Sequence, residues 1–106
     1  MPRALFHPTR EQIALPHVLH ALGDPMRLGL VAKLMAKGPL NCADMTVGCP
    51  LLSALPLSTR HHHLRILREA GLIESTKDGT AVMNCLRTAD LNARFPGLLK
   101  TILAQL

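Results

Sequence analysis

Apolar and polar positions separate most clearly between Ser58 and Leu72. At about 100° per residue, helical spacing collects the apolar side chains on one face, namely Leu64, Ile66, Leu67 and Ala70. The opposite face is polar and mostly cationic, and it holds Ser58, His61, His62, Arg65, Arg68 and Glu69. Ser58 is suited to cap the amino end, and Gly71 tolerates the positive φ of a helix end. The pattern therefore predicts an amphipathic helix from about Thr59 to Ala70.

Before this helix, start and stop residues divide the chain into shorter predicted helices. A capping box at Thr9 to Gln12 begins the first of them. Asp24 followed by proline begins a longer helix, and Asn41 can cap a third. The predicted segments are a short helix from Thr9, then His17 to Leu22, Pro25 to Lys37 and Cys42 to Val47. The shape of the apolar connector from Leu51 to Leu57 is not predictable from the pattern.

After the amphipathic helix, the pattern predicts a hairpin and a last helix. The β-prone runs Leu72 to Thr76 and Thr80 to Leu86 flank Lys77-Asp78-Gly79, and Asp-Gly between such runs is a strong hairpin signal. A helical apolar stripe interrupted by Pro96-Gly97 then consists of Leu91, Leu98, Leu99, Ile102, Leu103 and Leu106. The whole order predicts a mainly α fold with a β-hairpin wing, a winged helix-turn-helix, as one domain over residues 1–106.

Composition and charge narrow the class of partner. A chain of 106 residues is long enough for one core, and 48% hydrophobic residues with only two phenylalanines as aromatics predict an aliphatic one. So few aromatic rings argue against a protein that binds single-stranded nucleic acid by base stacking. The formal net charge of +5 favours a polyanionic partner such as duplex DNA.

The sequence also predicts a cytoplasmic protein without membrane contact. No apolar run approaches the roughly 18 to 20 residues that span a bilayer. Pro2, Arg3 and Pro8 interrupt the beginning of the chain, where a signal peptide needs an apolar core. The chain has three cysteines, which cannot all pair with one another, so thiols in a reducing compartment are expected.

Two long segments resemble the ArsR family of bacterial repressors. They run from His20 to Leu28 (HALGDPMRL) and from His62 to Leu72 (HHLRILREAGL), and the tail from Asp90 to Leu99 is similar to that of a proteobacterial branch of the family. The resemblance covers nearly the whole chain. It implies a protein that binds a double-stranded DNA operator near its own promoter and releases it when a small inducer binds.

The resemblance further implies a homodimer whose first and last helices form the dimer contact. The amphipathic helix enters the major groove in such proteins, and the wing touches the DNA backbone or the minor groove. The tail pattern independently favours a partner, because a lone domain gains little from exposing Leu98, Ile102 and Leu103.

The polar face of the amphipathic helix holds the candidate DNA contacts. Arg65 is the strongest candidate, because a guanidinium can grip a phosphate or the O6 and N7 atoms of guanine with two hydrogen bonds. Plain solvent exposure is the alternative for each residue, above all for Lys77 on the wing. The expected DNA-binding residues are Ser58, Thr59, His61, His62, Arg65, Arg68 and Lys77.

Two residues of the same helix fall outside this face. Arg60 stands where the family usually has an apolar residue, so its stem is expected to pack at the edge of the core while its charge reaches solvent. A phosphate contact from Arg60 stays open. His63 falls near the core side, where a buried histidine with satisfied hydrogen bonds is expected.

The histidines do not predict a metal site, and no cofactor is expected. Adjacent side chains on a helix point about 100° apart, so residues 61–63 cannot converge on one ion. His17 and His20 can chelate, but only His7 is available as a third ligand. The family's metal sensors carry Cys-Val-Cys in the third helix or histidine and acidic ligands in the last, whereas this chain has Asn41-Cys42-Ala43 and no histidine in its last helix.

Cys42 and Cys49 form a candidate thiol sensor for an oxidant, a reactive sulfur species or a soft metal. Cys42 lies near the amino end of the short helix, where the helix dipole favours a thiolate, and Cys49 lies at its exit. Seven residues of helix span roughly 10 Å, beyond the ~7 Å limit for a disulfide, so a bridge needs the chain to fold back at Gly48. The alternative is that both thiols are small apolar packing residues, as is expected of Cys85.

Other functions fit the sequence less well. An enzyme is not expected, because the chain has no phosphate-binding glycine loop and no spacing that joins a nucleophile, a base and an orienting group. The alternatives that stay open are a winged-helix protein-interaction module without DNA binding and a thiol- or metal-binding protein. A repressor differs from both in a DNA affinity that falls steeply with salt.

Overall fold

The computed structural model describes residues 5–106, so the first four residues, which entered the expectation about a signal peptide, lie outside it. A 3₁₀ turn over Arg10–Gln12 precedes the first helix. The helices are α1 (Leu15–Leu22), α2 (Pro25–Lys37), α3 (Cys42–Thr46), α4 (Pro50–Ser53), α5 (Leu57–Glu69), α6 (Thr88–Arg94) and α7 (Leu98–Leu103), and the strands are β1 (Leu40–Asn41), β2 (Ile73–Asp78) and β3 (Ala81–Leu86). The predicted mainly α fold with a hairpin wing is confirmed. Over these same residues, no helix is long and apolar enough to cross a membrane.

Side-chain caps begin α2 and α3 where the sequence predicts them. The Asp24 carboxylate accepts a hydrogen bond from the backbone N–H of Arg27 at 3.0 Å, and the Asn41 amide oxygen accepts one from the N–H of Asp44 at 2.7 Å. Each oxygen satisfies a donor that the first helical turn leaves free. The capping box holds only the 3₁₀ turn, in which the Gln12 side chain accepts a hydrogen bond from the N–H of the residue three before it at 2.9 Å.

Helix α5 begins at Leu57, so the N-cap role predicted for Ser58 is wrong. The cap is Pro56, with φ −54° and ψ 148°, and Ser58 lies inside the first turn. Part of the connector before it is helix α4, which a proline at its first position starts. At the carboxyl end, Gly71 has a φ of 87°, which confirms the positive φ predicted there.

The wing is a hairpin to which a third, very short strand is added. Strand β3 lies between β1 and β2 and is antiparallel to both. Asp78 pairs with Ala81, so the turn consists of Gly79 and Thr80, and the placement of Lys77 in the turn is wrong. The strand simply continues through Asp78. Strand β1 was not predicted, because two residues are too few to show a period-2 pattern.

An aliphatic core fills the space between the helices and the sheet. The inner face of α5 contributes Leu64, Leu67 and Ala70, which are 9%, 0% and 5% exposed, while Ile66 is half-buried at the edge. Other fully buried side chains are Ile13, Val18, Val31, Met45, Leu72 and Ile73. This burial confirms the predicted core face. Because that face packs inward, the polar face of α5 points outward.

A buried arginine ties α5 to the first two helices. Arg27 donates from Nε to the carbonyl of Ala21 at 2.7 Å and from Nη2 to the carbonyl of His20 at 3.2 Å. Its Nη1 lies 3.2 Å from Nδ1 of His63 on α5. His63 is therefore the largely buried, hydrogen-bonded histidine that its position predicts.

We expect the protein to lose stability as the pH falls below about 6.5. Burial lowers the pKa of His63 from its ordinary value of 6.5, and the charge of Arg27 lowers it further against the opposing attraction of Asp24. Burial likewise lowers the pKa of His7, whose Nε2 accepts a hydrogen bond from the N–H of Ser75 at 2.9 Å. Below 6.5 the unfolded chain binds protons that the folded chain does not, so the free energy of unfolding is highest above this pH and declines toward the folded-state pKa values.

Urea denaturation at about pH 7.5 and about pH 5.5 measures this loss. The pKa values of Asp24 and Asp90 are lowered, so both carboxylates stay charged over this range. A double variant, His7→Gln with His63→Gln, keeps an acceptor at both positions and should lose less stability than the native chain. An equal loss of stability in the double variant and the native chain would contradict the assignment of this pH dependence to His7 and His63.

Candidate nucleic-acid interface

The outward face of α5 is polar and open to solvent. Ser58, His61, His62 and Arg65 are exposed, whereas Thr59 and Arg68 are half-buried. A shallow groove brings most of the predicted contact residues together, and we call it the cationic groove; its residues are Ser58, His61, His62, Arg65 and Arg68. The structure therefore brings onto one surface five of the six side chains that the helical periodicity places on one face. Glu69, the sixth, lines a different groove together with His17 and Ile66.

The arginines of the cationic groove are not neutralised by acidic side chains. Neither Arg65 nor Arg68 takes part in an ion pair within the part of the chain that the structure describes. Nη2 of Arg65 lies 3.3 Å from Nδ1 of His62, one turn earlier. Nε of Arg68 is buried and has no hydrogen-bond partner among residues 5–106. The exposed guanidinium of Arg65 is available to phosphates or to guanine edges.

Lys77 lies apart from this groove, near the tip of the wing. It is exposed at the end of β2, opposite Val82. Asp78 follows it directly and is also exposed, so the tip carries both signs of charge. The structure thus confirms that Lys77 belongs to the wing. Because Lys77 does not line the cationic groove, it is a candidate contact separate from those of α5.

Arg60 lies on the side of α5 that faces the preceding helices. Its side chain lines a cavity together with Leu30 and Leu64, which confirms that its stem packs at the edge of the core. The expectation that its charge reaches solvent is only partly met, because its Nε is buried. The cavity was not predicted from the sequence, since it depends on how four helices pack.

Cys42 and Cys49 lie at the starts of neighbouring short helices and are free thiols. Both are half-buried and pack against the core. Sγ of Cys42 lies 3.5 Å from Nδ2 of Asn84. Cys85 is exposed, so its predicted packing role is wrong, because the alternation of β3 turns Asn84 and Leu86 inward instead.

The histidines lie in positions that do not converge. Over residues 5–106, no group of three or more histidine, cysteine, aspartate or glutamate side chains is placed to hold a metal ion. His17 and His20 are exposed on α1. Nε2 of His7, the only third ligand proposed for them, accepts a hydrogen bond from Ser75 instead.

Sequence comparison with known proteins shows the family. Residues 22–76 match the family model described as a helix-turn-helix domain. The chain is 37% identical over 65 residues to an HTH-type transcriptional regulator of Methanocaldococcus jannaschii, across 59% of this chain and 66% of that protein. It is 30% identical over 86 residues to the HTH-type transcriptional regulator YceK of Bacillus subtilis, across 80% of this chain and 82% of that protein.

Solved structures share the winged fold. A crystal structure of an ArsR family transcriptional regulator matches with a TM-score of 0.65 and 20% identity, across 94% of this chain and 96% of that one. The transcriptional repressor BigR from Xylella fastidiosa matches with a TM-score of 0.61 and 25% identity, across 83% of this chain and 84% of that one. The transcriptional repressor PagR of Bacillus anthracis matches with a TM-score of 0.60 and 24% identity, across 82% of this chain and 90% of that one. The chain therefore belongs to the helix-turn-helix transcriptional regulators and has the winged fold of their ArsR family.

Proposed function

We propose that the protein is a repressor that binds an operator in double-stranded DNA as a homodimer and releases it when a small inducer binds. The observation that carries this proposal is the cationic groove on the outward face of one well-packed helix, where the guanidinium groups have no acidic partner among residues 5–106. The B-DNA major groove admits one α-helix and presents phosphate and guanine acceptors to it. The net charge of +5 adds long-range attraction.

The side chains of α5 and the wing divide the proposed contacts between them. We assign the strongest contact to Arg65, because it is exposed and can donate two parallel hydrogen bonds to a guanine or a phosphate. The remaining contacts are assigned to Ser58, Thr59, His61, His62 and Arg68 on α5 and to Lys77 on the wing. Phosphate contacts among these set the position of the helix, and base contacts set its sequence preference.

Helices α1 and α7 supply the proposed dimer contact. Leu15 and Leu19 lie one turn apart on α1 and are 40% and 48% exposed. On α7, Ile102 and Leu103 are only half-buried, and Leu106 just beyond it is 68% exposed. A two-fold partner that covers these side chains removes apolar surface from water and can set two copies of α5 about 34 Å apart, one turn of B-DNA.

The position of Cys42 and Cys49 supports a thiol sensor. Cys42 is the first residue of α3 and Cys49 is the N-cap of α4, and residues of both helices line one cavity with α5. Modification of either thiol can therefore shift the helix that carries the cationic groove. Their packing against the core equally fits the role of small apolar residues.

Sequencing the genomic fragments that the purified protein retains tests the proposed function. We expect related half-sites about one helical turn apart, including a site upstream of the protein's own gene, and retention that weakens steeply as salt rises. Capture of a protein partner with no retention of duplex DNA would instead favour a winged-helix interaction module.

A further inference from the structure

A cavity of about 190 Å³ lies between α5 and the three helices that precede it. Leu30 of α2, Cys42 of α3, Leu52 of α4 and Leu64 of α5 form much of its wall. Leu57 also lines it and is 57% exposed, so the cavity is open to solvent at the start of α5. An apolar cavity with an open rim is suited to a small apolar ligand.

The described residues that line this cavity include a cation, Arg60, and no acid. Nε of Arg60 is buried and has no hydrogen-bond partner in the described part of the chain, and Arg60 forms no ion pair there. None of the residues that line the cavity is acidic. Because Arg60 lines an apolar cavity without an acidic partner among the described residues, the cavity favours a ligand that brings an anionic group to its guanidinium.

We propose that the cavity binds a small organic monocarboxylate, with its carboxylate on Arg60 and its apolar body against the leucines. An apolar cavity of about 150 Å³ can hold a benzene-sized molecule. The 190 Å³ found here therefore fits one ring that carries a carboxylate, or a short aliphatic acid. Inorganic phosphate fits less well, because leucine side chains cannot replace its water of hydration.

A ligand in the cavity can change the proposed DNA-binding surface, because α5 borders both. His61 lines both the cavity and the cationic groove, so a ligand that displaces it changes both surfaces. A ligand held by Arg60 also contacts the residues of α3 and α4 that line the same cavity, so it couples α5 to both helices. The carboxylate then acts as the inducer, a step that rests on the proposed function.

Titration of the full chain with benzoate and with its neutral analogue benzamide tests the site. We expect the native protein to bind benzoate about tenfold or more tightly than benzamide, the effect of one charge-assisted hydrogen bond. Arg60→Gln should bring the two affinities to within about twofold, while the matched variant Arg65→Gln, on the outer face of the same helix, should keep the preference. Equal binding of both probes by the native protein, or a preference that survives Arg60→Gln, overturns the site.

Amide chemical shifts of the native protein give a second readout that needs no variant. Benzoate should shift the signals of Thr46, Leu52 and Leu64, which line the cavity. Shifts confined to Arg65 and Arg68 would show instead that benzoate binds the exposed cations, and would overturn the proposal.

The regulatory step is measured separately, with duplex affinity compared in sodium benzoate and in sodium chloride at equal ionic strength. We expect at least about a tenfold weaker affinity in benzoate for the native protein and no difference for Arg60→Gln. Benzoate binding without any loss of duplex affinity overturns the inducer role alone. Failure to bind duplex DNA in either salt overturns the proposed function, and the titration without DNA still decides the site.

Discussion

Replacing Arg65 with alanine is expected to weaken binding to the operator duplex by about 10- to 100-fold and to reduce the slope of log affinity against log salt by about one when the contact is a phosphate. Arg65 is exposed, and within residues 5–106 it has no acidic partner, so its guanidinium is free to bind DNA. Its loss removes up to two charge-assisted hydrogen bonds. The fold should be preserved, because the residue contributes nothing to the core.

Fluorescence anisotropy with the retained genomic duplex measures this effect at two or more salt concentrations. Lys37→Ala is the matched control, since it also removes one exposed positive charge, from the last turn of α2. Its effect should stay within about threefold, the size of a long-range charge term. Equal losses in the two variants would mean that net charge, and not the outer face of α5, determines the affinity.

Replacing Gly71 with alanine is expected to destabilise the protein by about 2 to 4 kcal/mol, for two reasons that add. Gly71 has a φ of 87°, which is unfavourable for a residue with a Cβ. A Cβ placed there also lies 2.5 Å from Cγ1 and 2.9 Å from Cδ1 of Ile13. Ile13 is only 1% exposed, so it has little free space into which to move.

Gly79→Ala separates the two causes. Gly79, in the turn of the wing, has a φ of 64°, and no atom lies within 4 Å of an added Cβ in the described residues. Its cost should be about 1 kcal/mol, the conformational part alone. Urea denaturation at one protein concentration compares the variants. Equal costs for the two glycines would show that Ile13 yields and that the contact contributes nothing.

Features encoded by neighbouring residues could be predicted from the sequence. The caps at Asp24 and Asn41, the hairpin and the two faces of α5 depend on residues a few positions apart, so propensity and periodicity reveal them. The start of α5 was placed too late because Ser58 has a good capping side chain, while Pro56 ends the connector through its backbone alone. Strand β1 exists only through its pairing with β3, which no local pattern encodes.

The candidate site likewise has one part that the sequence predicts and one part that it does not. The shared surface of His61, His62 and Arg65 follows from helical spacing, and the structure confirms that they lie together. The cavity beside Arg60 and the buried bonds of Arg27 arise from contacts between helices distant in sequence. The sequence identifies Arg60 only as a departure from the usual apolar residue, and the packing of four helices was needed to show that it lines a cavity.

Hydroxyl-radical footprinting of the native protein on its retained duplex tests most directly whether α5 is the DNA-binding element of a two-fold pair. We expect protection of two segments on one side of the duplex, centred about 34 Å apart, with protection in both segments weakened by Arg65→Ala. Protection without this spacing, or protection that persists when Arg65 and Arg68 are both replaced by alanine, would contradict the proposal.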